Sequence, residues 1–190
     1  MTTVTVPSTR PMTAREYLDL PESELERPCN LIDGEVVATD ATWTHQRTTV
    51  RVLVAIASWV NAGEGRGAVT TPIDVYLDDR NVYTPDVVWY SEARIPSDPD
   101  ARPLELPDVA VEVRSPATWR HDVGAKKHRY ERAGLPELWL VDGHVRTVLV
   151  FRRSSPEAPA FDVALELSRD EGLDSPLMPG FATPVSRLFD

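Results

Sequence analysis

The chain has 190 residues, of which 42% are hydrophobic and 26% are charged, so its composition indicates a globular protein and argues against wholesale disorder. Its net charge of −10 argues against nucleic-acid binding driven by the overall field of the protein. The single cysteine, Cys29, excludes an internal disulfide and a cysteine-based zinc cluster.

The chain length and the distribution of apolar residues predict one domain in the cytoplasm. We expect residues 1–11 to form a flexible arm and residues 12–190 to form a single domain. No apolar run approaches the roughly 20 residues that a membrane span needs. The N-terminus lacks the apolar segment of a secretion signal. We therefore expect a cytoplasmic protein with no membrane partner.

The first predicted elements are a short helix and a β-hairpin. Thr13 and Glu16 have the spacing of a capping box, which begins a helix that ends before Pro21. Asp33-Gly34, between apolar pairs, predicts a two-residue hairpin turn. Glu35 then begins the return strand. A carboxylate at this position is as consistent with an ordinary residue beside a turn as with a functional acid.

A long helix and two strands are predicted next. Apolar residues at helical spacing predict a helix over residues 44–61, with Thr44 as its cap and His45 in its first turn. Residues 68–77 and 84–90 predict two strands joined by a turn at 78–81, and Asp86 lies near the start of the second. Residues 91–107 predict a proline-rich connecting loop.

The central stretch, residues 107–132, predicts a strand followed by a helix. Alternation over residues 108–113 places the valines on one face and Glu112 on the other, near the end of the strand. Ser115-Pro116 ends that strand. On the helix that follows, Asp122, Lys126 and Tyr130 recur every four residues and share one face.

The remaining residues predict further strands and a mixed sheet. Gly134-Leu135-Pro136 closes the helix, and residues 137–141 are too apolar for an edge strand. Strands over 146–151 and 161–167 follow, and the last residues predict an irregular tail packed on the sheet. This order of strands with two embedded helices indicates an α/β fold or a mixed α+β fold.

A basic segment stands beside these acids. Residues 114–132 contain six lysines and arginines against two acidic residues, a local balance of +4 in an acidic chain. A cationic segment next to clustered carboxylates suits a phosphodiester site with a bound divalent cation. A solvated helix face with ion pairs explains the same charges equally well.

Asp86 and Glu112 are the predicted metal ligands, provided that their strands are neighbours. Two ionised carboxylates that converge repel each other unless a cation lies between them, and oxygen ligands suit Mg²⁺ or Mn²⁺. Lys126 is then placed to orient water or to stabilise charge on phosphorus. Taken alone, Asp122 and Lys126 are equally consistent with an ordinary helical salt bridge.

Blocks of the sequence, in this order and spacing, resemble the Uma-two family, which belongs to the PD-(D/E)XK restriction-endonuclease-like superfamily. The similarity extends from about Met12 to Phe181. The blocks are LIDGEVV at 31–37, His45-Gln46, TPDVVW at 84–89, VAVEVRSPAT at 109–118, Asp122 with Lys126 and Tyr130, and GLPELWLVD at 134–142.

The resemblance implies a restriction-endonuclease-like central mixed sheet flanked by helices, with a metal-dependent nuclease site. It makes Asp86 and Glu112 the two metal-binding acids, with Lys126 as the catalytic lysine, displaced from the strand to the helix as in this family. Glu35 matches the upstream catalytic acid. The predicted substrate contacts are Arg114, His45, Lys127 and Tyr130.

Three departures from the pattern weaken this assignment. Arg114 stands two residues after Glu112, where the superfamily has lysine, and arginine can clamp phosphate but cannot act as a base. Lys126 and Lys127 point about 100° apart on a helix, so only one should face the site. Cys29-Asn30 replaces the Tyr-Glu of the family, which removes an acid.

We therefore predict a Mg²⁺- or Mn²⁺-dependent endonuclease that hydrolyses phosphodiester bonds of DNA. The alternative is a catalytically inactive protein of the nuclease fold that binds nucleic acid or protein, which the acidic charge and Asn30 favour. A homodimer is expected, because the chain is short for an enzyme that encloses a duplex alone.

Overall fold

A computed structural model of the chain describes residues 10–25, 27–38, 41–98, 100–115 and 122–190. Most of the predicted N-terminal arm, Arg120 of the basic segment and the side chain of Asp122 therefore lie outside the described part. Within that part, no helix combines the length and apolar character needed to cross a membrane.

The N-terminal helix and hairpin are confirmed. Helix α1, Ala14–Leu18, has Thr13 as its N-cap, and Thr13 and Glu16 form both bonds of the capping box. Strands β1, Cys29–Ile32, and β2, Glu35–Ala38, pair in antiparallel fashion. Asp33-Gly34 turns between them with positive φ angles of 51° and 84°, which explains the glycine.

Helix α2, Trp43–Asn61, is present, but its predicted cap is wrong. Thr42 is the N-cap, and its hydroxyl accepts the main-chain N–H of His45 at 3.2 Å. The helix therefore begins one residue before the predicted cap, Thr44. His45 remains in the first turn, as predicted.

The prediction for residues 68–90 is wrong in its strand boundaries. Two long strands are replaced by four short ones: β3, Ala68–Thr70; β4, Val75–Asp78; β5, Asn81–Tyr83; and β6, Val87–Tyr90. Strands β4 and β5 form a hairpin, whereas β3 pairs with β6 in a different sheet. Local alternation could not reveal this division, because it depends on pairing partners elsewhere in the chain.

The central strand and helix follow the prediction closely. Strand β7 is Val109–Val113, and a π-helical turn, Asp122–Lys126, leads into helix α3, Lys127–Ala133. Gly134 ends α3 in the left-handed conformation. Strand β8, Glu137–Asp142, then lies parallel to β7 and is fully buried, as predicted for an internal strand.

The C-terminal segment is more regular than predicted. Strands β9, Thr147–Arg152, and β10, Val163–Leu167, extend the sheet. The expected irregular tail instead contains a two-stranded sheet of β11, Gly172–Asp174, and β12, Ala182–Pro184. These three-residue strands are too short to show a clear alternation in the sequence.

The strands form a six-stranded mixed sheet and a four-stranded antiparallel sheet. The six-stranded sheet has the order β10-β9-β8-β7-β6-β3, in which only the β7–β8 pair is parallel among the described strands. The four-stranded sheet has the order β2-β1-β5-β4. The predicted fold class, a central mixed sheet with flanking helices, is confirmed.

The two faces of β7 pack against different elements. Val109, Val111 and Val113 face a core that includes Val52 and Ile56 of α2. Ala110, on the opposite face, packs with Tyr83 of β5 and Tyr130 of α3. Because side chains alternate along a strand, Glu112 shares the face of Ala110 and lies between the central sheet, α3 and the four-stranded sheet.

Candidate functional site

Glu112 is held by two side chains from the helical segment that follows its strand. The ammonium group of Lys126 donates to Oε2 at 3.0 Å, and the hydroxyl of Tyr130 donates to Oε1 at 2.8 Å. The side chain of Lys126 is 1% exposed and that of Glu112 is 5% exposed. Lysine is almost never buried to this degree unless it is paired with an acid, so the two charges form a buried ion pair.

Tyr83 completes the surroundings of this ion pair and was missed by the sequence analysis. The ammonium nitrogen of Lys126 lies 5.5 Å from the centre of the Tyr83 ring, and the ring meets Tyr130 edge-on with centroids 5.2 Å apart. The Tyr83 hydroxyl donates to Oδ1 of Asn81 at 3.1 Å. Burial raises the pKa of Tyr83, so the ring remains a neutral phenol that attracts the lysine through its face.

Asp86 immediately precedes β6 and is held at the end of β7, the strand that carries Glu112. Its main-chain N–H donates to the carbonyl of Val111 at 3.0 Å, and its Oδ2 accepts the main-chain N–H of Val113 at 2.6 Å. Val111 and Val113 flank Glu112 in the chain. Strands β6 and β7 are therefore neighbours, as the sequence analysis required; convergence of the two carboxylates stays a prediction.

His45 reaches Asp86 from the first turn of α2. Its Nε2 lies 3.1 Å from Oδ1 of Asp86, and its side chain is 5% exposed. Burial lowers the pKa of His45, but the hydrogen bond and charge of Asp86, together with main-chain groups of Arg114 and Val113, outweigh burial and raise the pKa above its ordinary value. Asp86 therefore stabilises the imidazolium form.

The other predicted site residues lie in different positions. Arg114 donates to Oδ2 of Asp142 at 2.7 Å, so this acid orients its guanidinium group. The ammonium group of Lys127 lies 4.6 Å from the centre of the Phe151 ring and 3.9 Å from Oε1 of Glu131. Lys127 is thus directed away from Glu112, because adjacent residues on a helix point about 100° apart.

Glu35 lies on the face of the hairpin that packs toward Tyr83 and Tyr130, but at the exposed edge of that face. It pairs with Ile32 across the hairpin, so the two side chains share a face, and Ile32 packs with Tyr83 and Tyr130. Glu35 itself is exposed. Arg129 of α3 forms an ion pair with Asp33 in the turn, which fixes the hairpin next to the helix that carries Lys126.

The sequence profile of the Uma2 family, described as "Putative restriction endonuclease", matches residues 14–186. The chain belongs to this family. The match covers every described element from α1 to β12, including the strands and helices that carry Glu112, Lys126 and His45.

A solved structure supports the fold of this Uma2 chain. It is a crystal structure described as a putative nuclease belonging to DUF820 from Anabaena variabilis ATCC 29413, with a TM-score of 0.78 and 21% sequence identity. The superposition covers 94% of this chain and 98% of that chain. A search of curated proteins found no match. The family description supports a nuclease-like function, and the solved structure supports the fold.

The carboxylates of Asp86 and Glu112 fit a hard divalent cation in type and number. Mg²⁺ is usually bound by one or two carboxylates, with water and substrate phosphate as further ligands. Each carboxylate oxygen has lone pairs for more than one partner, so the hydrogen bonds to Glu112 and Asp86 are compatible with coordination. Among the described residues, no three or more His, Cys, Asp or Glu side chains gather to hold a metal.

Asn30, which replaces an acid of the family pattern, has a structural role in this Uma2 chain. It is buried in β1, and its Oδ1 accepts the main-chain N–H of Thr84 at 2.8 Å. The Thr84 hydroxyl in turn donates to the carbonyl of Cys29 at 2.7 Å. These bonds fix the backbone two residues before Asp86, so this position supports the site through the chain.

Proposed function

We propose that this protein is a Mg²⁺- or Mn²⁺-dependent endonuclease that hydrolyses phosphodiester bonds of DNA. The observation that carries the proposal is the buried contact between Lys126 and Glu112, next to Asp86 at the end of two paired strands. Burying an ion pair costs free energy that a purely structural core does not need to spend. A nuclease function, which the family assignment suggests, would explain why these two charges are buried.

Asp86 and Glu112 would hold the cation, which supplies Lewis acidity toward a phosphoryl oxygen when it is bound. His45 and the main-chain N–H of Val113 orient Asp86, and Tyr130 orients Glu112. Lys126 keeps its ammonium group at Glu112, where a fixed positive charge stabilises the negative charge that develops during phosphoryl transfer. Glu35 is the proposed acceptor for a proton of the attacking water.

A cleavage assay with two adjacent lysines tests the proposal. Supercoiled plasmid and Mn²⁺ are incubated with the wild type, Lys126→Met, Glu112→Gln and the control Lys127→Met. We expect the first two variants to lose about 100-fold or more in rate, because removing one preorganised charge has effects of this size. Lys127→Met should cleave at nearly the wild-type rate, since its side chain points elsewhere.

Circular dichroism spectra and thermal melts of each variant separate lost chemistry from lost folding. Equal cleavage by the wild type, folded Lys126→Met and folded Glu112→Gln would refute the assignment. The assignment would also be refuted if the wild type cleaved no DNA under conditions where it is folded and binds Mn²⁺.

The second candidate function is an inactive protein of the nuclease fold that binds nucleic acid or protein. Two observations favour it: Asn30 stands where the family has an acid, and protein donors contact both oxygens of Glu112. Calorimetric titration with Mn²⁺ distinguishes the candidates, because the metal site should disappear in Asp86→Asn. A wild type that binds no Mn²⁺ would favour the inactive protein.

The homodimer remains a prediction. Light scattering at micromolar protein concentration measures it directly, and a monomeric mass would contradict it.

A further inference from the structure

Two groups face the ammonium group of Lys126: the carboxylate of Glu112 and the ring of Tyr83. The nitrogen lies 3.0 Å from Oε2 of Glu112 and 5.5 Å from the centre of the ring. The second distance is within the roughly 6 Å over which a ring face attracts a cation. Lys126 and Tyr83 are both fully buried, so little water competes with the ring for the ammonium group.

The hydroxyl end of Tyr83 is anchored by two turns of the four-stranded sheet. The hydroxyl donates to Oδ1 of Asn81 at 3.1 Å, and the same oxygen accepts the main-chain N–H of Asp33 at 3.0 Å. The side-chain amide of Asn81 donates to Oδ1 of Asp78 at 2.8 Å. Because Asn81 is buried and held by both turns, it offers the hydroxyl an acceptor in a fixed position.

The same two turns are tied to the helix that follows Lys126. Arg129 of α3 forms ion pairs with Asp33 and with Asp78, and its Nη1 lies 3.7 Å from Oδ2 of Asp78. Arg129 stands three residues after Lys126 in the chain. The contacts therefore lead from Lys126 through the Tyr83 ring to the turns and return to the helix, so the ring is held relative to the lysine at both ends.

The Tyr83 ring also contacts the group that holds the other oxygen of Glu112. Its edge meets Tyr130 at an interplanar angle of 79°, with centroids 5.2 Å apart, and the Tyr130 hydroxyl donates to Oε1 of Glu112. Lysine has a flexible four-carbon stem. A single hydrogen bond to Glu112 leaves the ammonium group free to pivot about that contact, whereas a ring on a second side restricts the pivot.

We propose that Tyr83 is a positioning residue of the nuclease site, whose ring face and Glu112 together confine the ammonium group of Lys126. The inference rests on the proposed function, because Tyr83 acts through the proposed catalytic lysine. A charge that is already in place needs no reorganisation as negative charge develops on the phosphoryl group. Core packing requires only the volume of the ring, but positioning a cation requires its electron-rich face.

A series of fluorinated rings at position 83 separates these two roles. Phenylalanine and its mono-, di- and trifluorinated forms are introduced by nonsense suppression. Each fluorine withdraws electron density from the ring face and weakens its attraction for a cation, while the shape changes little. Tyr83→Phe should retain most of the activity, because the ring still packs against Ile32 and Tyr130.

Plasmid cleavage with Mn²⁺ is the first readout of this series. We expect kcat to fall with each added fluorine, by about 10-fold over the series, the rate equivalent of a buried cation–π contact. KM should stay nearly constant, because a fixed charge at Lys126 acts on the transition state. A kcat that does not change along the series would overturn the inference.

Tyr17 supplies the matched control for loss of a buried tyrosine. It is as buried as Tyr83, its hydroxyl donates to the carbonyl of Cys29 at 2.8 Å, and it packs in a different cluster. Below the melting temperatures of both variants, Tyr83→Leu should lower kcat by about 10-fold or more, and Tyr17→Leu should leave it unchanged. Equal losses of kcat would assign the effect to general destabilisation and overturn the inference.

A double-mutant cycle measures the contact without cleavage. In urea unfolding, the effects of Tyr83→Leu and Lys126→Met should not add, whereas those of Tyr83→Leu and Lys127→Met should add. Additive effects for Tyr83 and Lys126 would overturn the inference whether or not the protein cleaves DNA. If the wild type cleaves and the fluorinated series is flat, the inference alone fails. If the wild type cleaves no DNA, the proposed function fails, and the positioning role fails with it.

Discussion

Glu112 and Glu137 are buried acids on the two parallel strands of the central sheet, yet their partners differ in kind. Glu112, near the end of β7, contacts the ammonium group of Lys126 and the hydroxyl of Tyr130. Glu137 begins β8 and accepts hydrogen bonds from Trp139 Nε1 at 2.6 Å and from the Ser175 hydroxyl at 2.8 Å, both of them neutral donors.

The electrostatic consequences differ accordingly. Burial raises the pKa of Glu137, and its hydrogen bonds and the charge of Arg152, whose Nε lies 3.8 Å away, offset this only in part. Glu112 instead has a lysine in direct contact, and a second acid, Asp86, precedes the strand that pairs with β7. Burial of an acid therefore does not by itself indicate a reactive site. A buried acid with a charged partner and a neighbouring carboxylate is the stronger indication.

The largest expected effect on stability comes from removing the charged partner of Glu112. Lys126→Met leaves a buried carboxylate without its cation, so the free energy of unfolding should fall by about 3–5 kcal/mol. Adding Glu112→Gln should recover most of that loss, because no uncompensated charge then remains. Urea unfolding at neutral pH measures both changes.

Lys127→Met is the matched control for this comparison, since its ion pair with Glu131 is partly exposed. It should change the free energy of unfolding by less than about 1 kcal/mol. If both lysine variants lost a similar amount of unfolding free energy, burial of the Lys126–Glu112 pair would not be the cause of the loss. Failure of Glu112→Gln to recover stability would assign the loss to packing.

A smaller effect is expected at Glu137 and depends on pH. Because the folded-state pKa is raised, the stabilising contribution of protonated Glu137 is fully present below its ordinary pKa of about 4.5 and is lost as pH rises through the folded value. Glu137→Gln should therefore gain stability relative to the wild type as pH rises from about 4.5 through the folded value. Urea unfolding across this range measures the difference, and a constant difference would contradict the raised pKa.

The smallest effect is expected at His45, the partner of Asp86. Its pKa is raised, so the stabilisation from its imidazolium is fully present below about pH 6.5 and is lost as pH rises through the folded value. NMR titration of the ring should give a pKa above 6.5, and this elevation should disappear in Asp86→Asn. His45→Gln should lose most stability on the acidic side. An unchanged titration in Asp86→Asn would show that Asp86 does not hold the proton.

Much of the site was accessible from sequence, because its contacts follow from short-range periodicity. Alternation along β7 placed Glu112 opposite the valine face, and a spacing of four placed Lys126 and Tyr130 together. All three meet in the structure. The expectation that only one of two adjacent lysines would face the acid was equally a matter of helix geometry.

The remaining features depend on contacts between distant parts of the chain. Tyr83 reaches Lys126 because β5 pairs with β1 and β4 in the second sheet. The predicted strand began at residue 84, so Tyr83 belonged to no predicted strand. Asp142, which orients Arg114, lies on a strand whose register with β7 has no local signal. Likewise, the cap at Thr42 was missed because two threonines compete for it within the same short stretch.

Lys126 is the last residue of the π-helical turn that precedes α3. Such a turn contains one residue more than an α-helical turn, and this insertion changes the direction of the side chains on one side of it relative to the other. Deleting one residue within the turn would rotate the lysine by about 100° relative to its present direction while leaving α3 able to pack as before. The direction in which the ammonium group of Lys126 extends toward Glu112 is thus set by the geometry of this one widened turn.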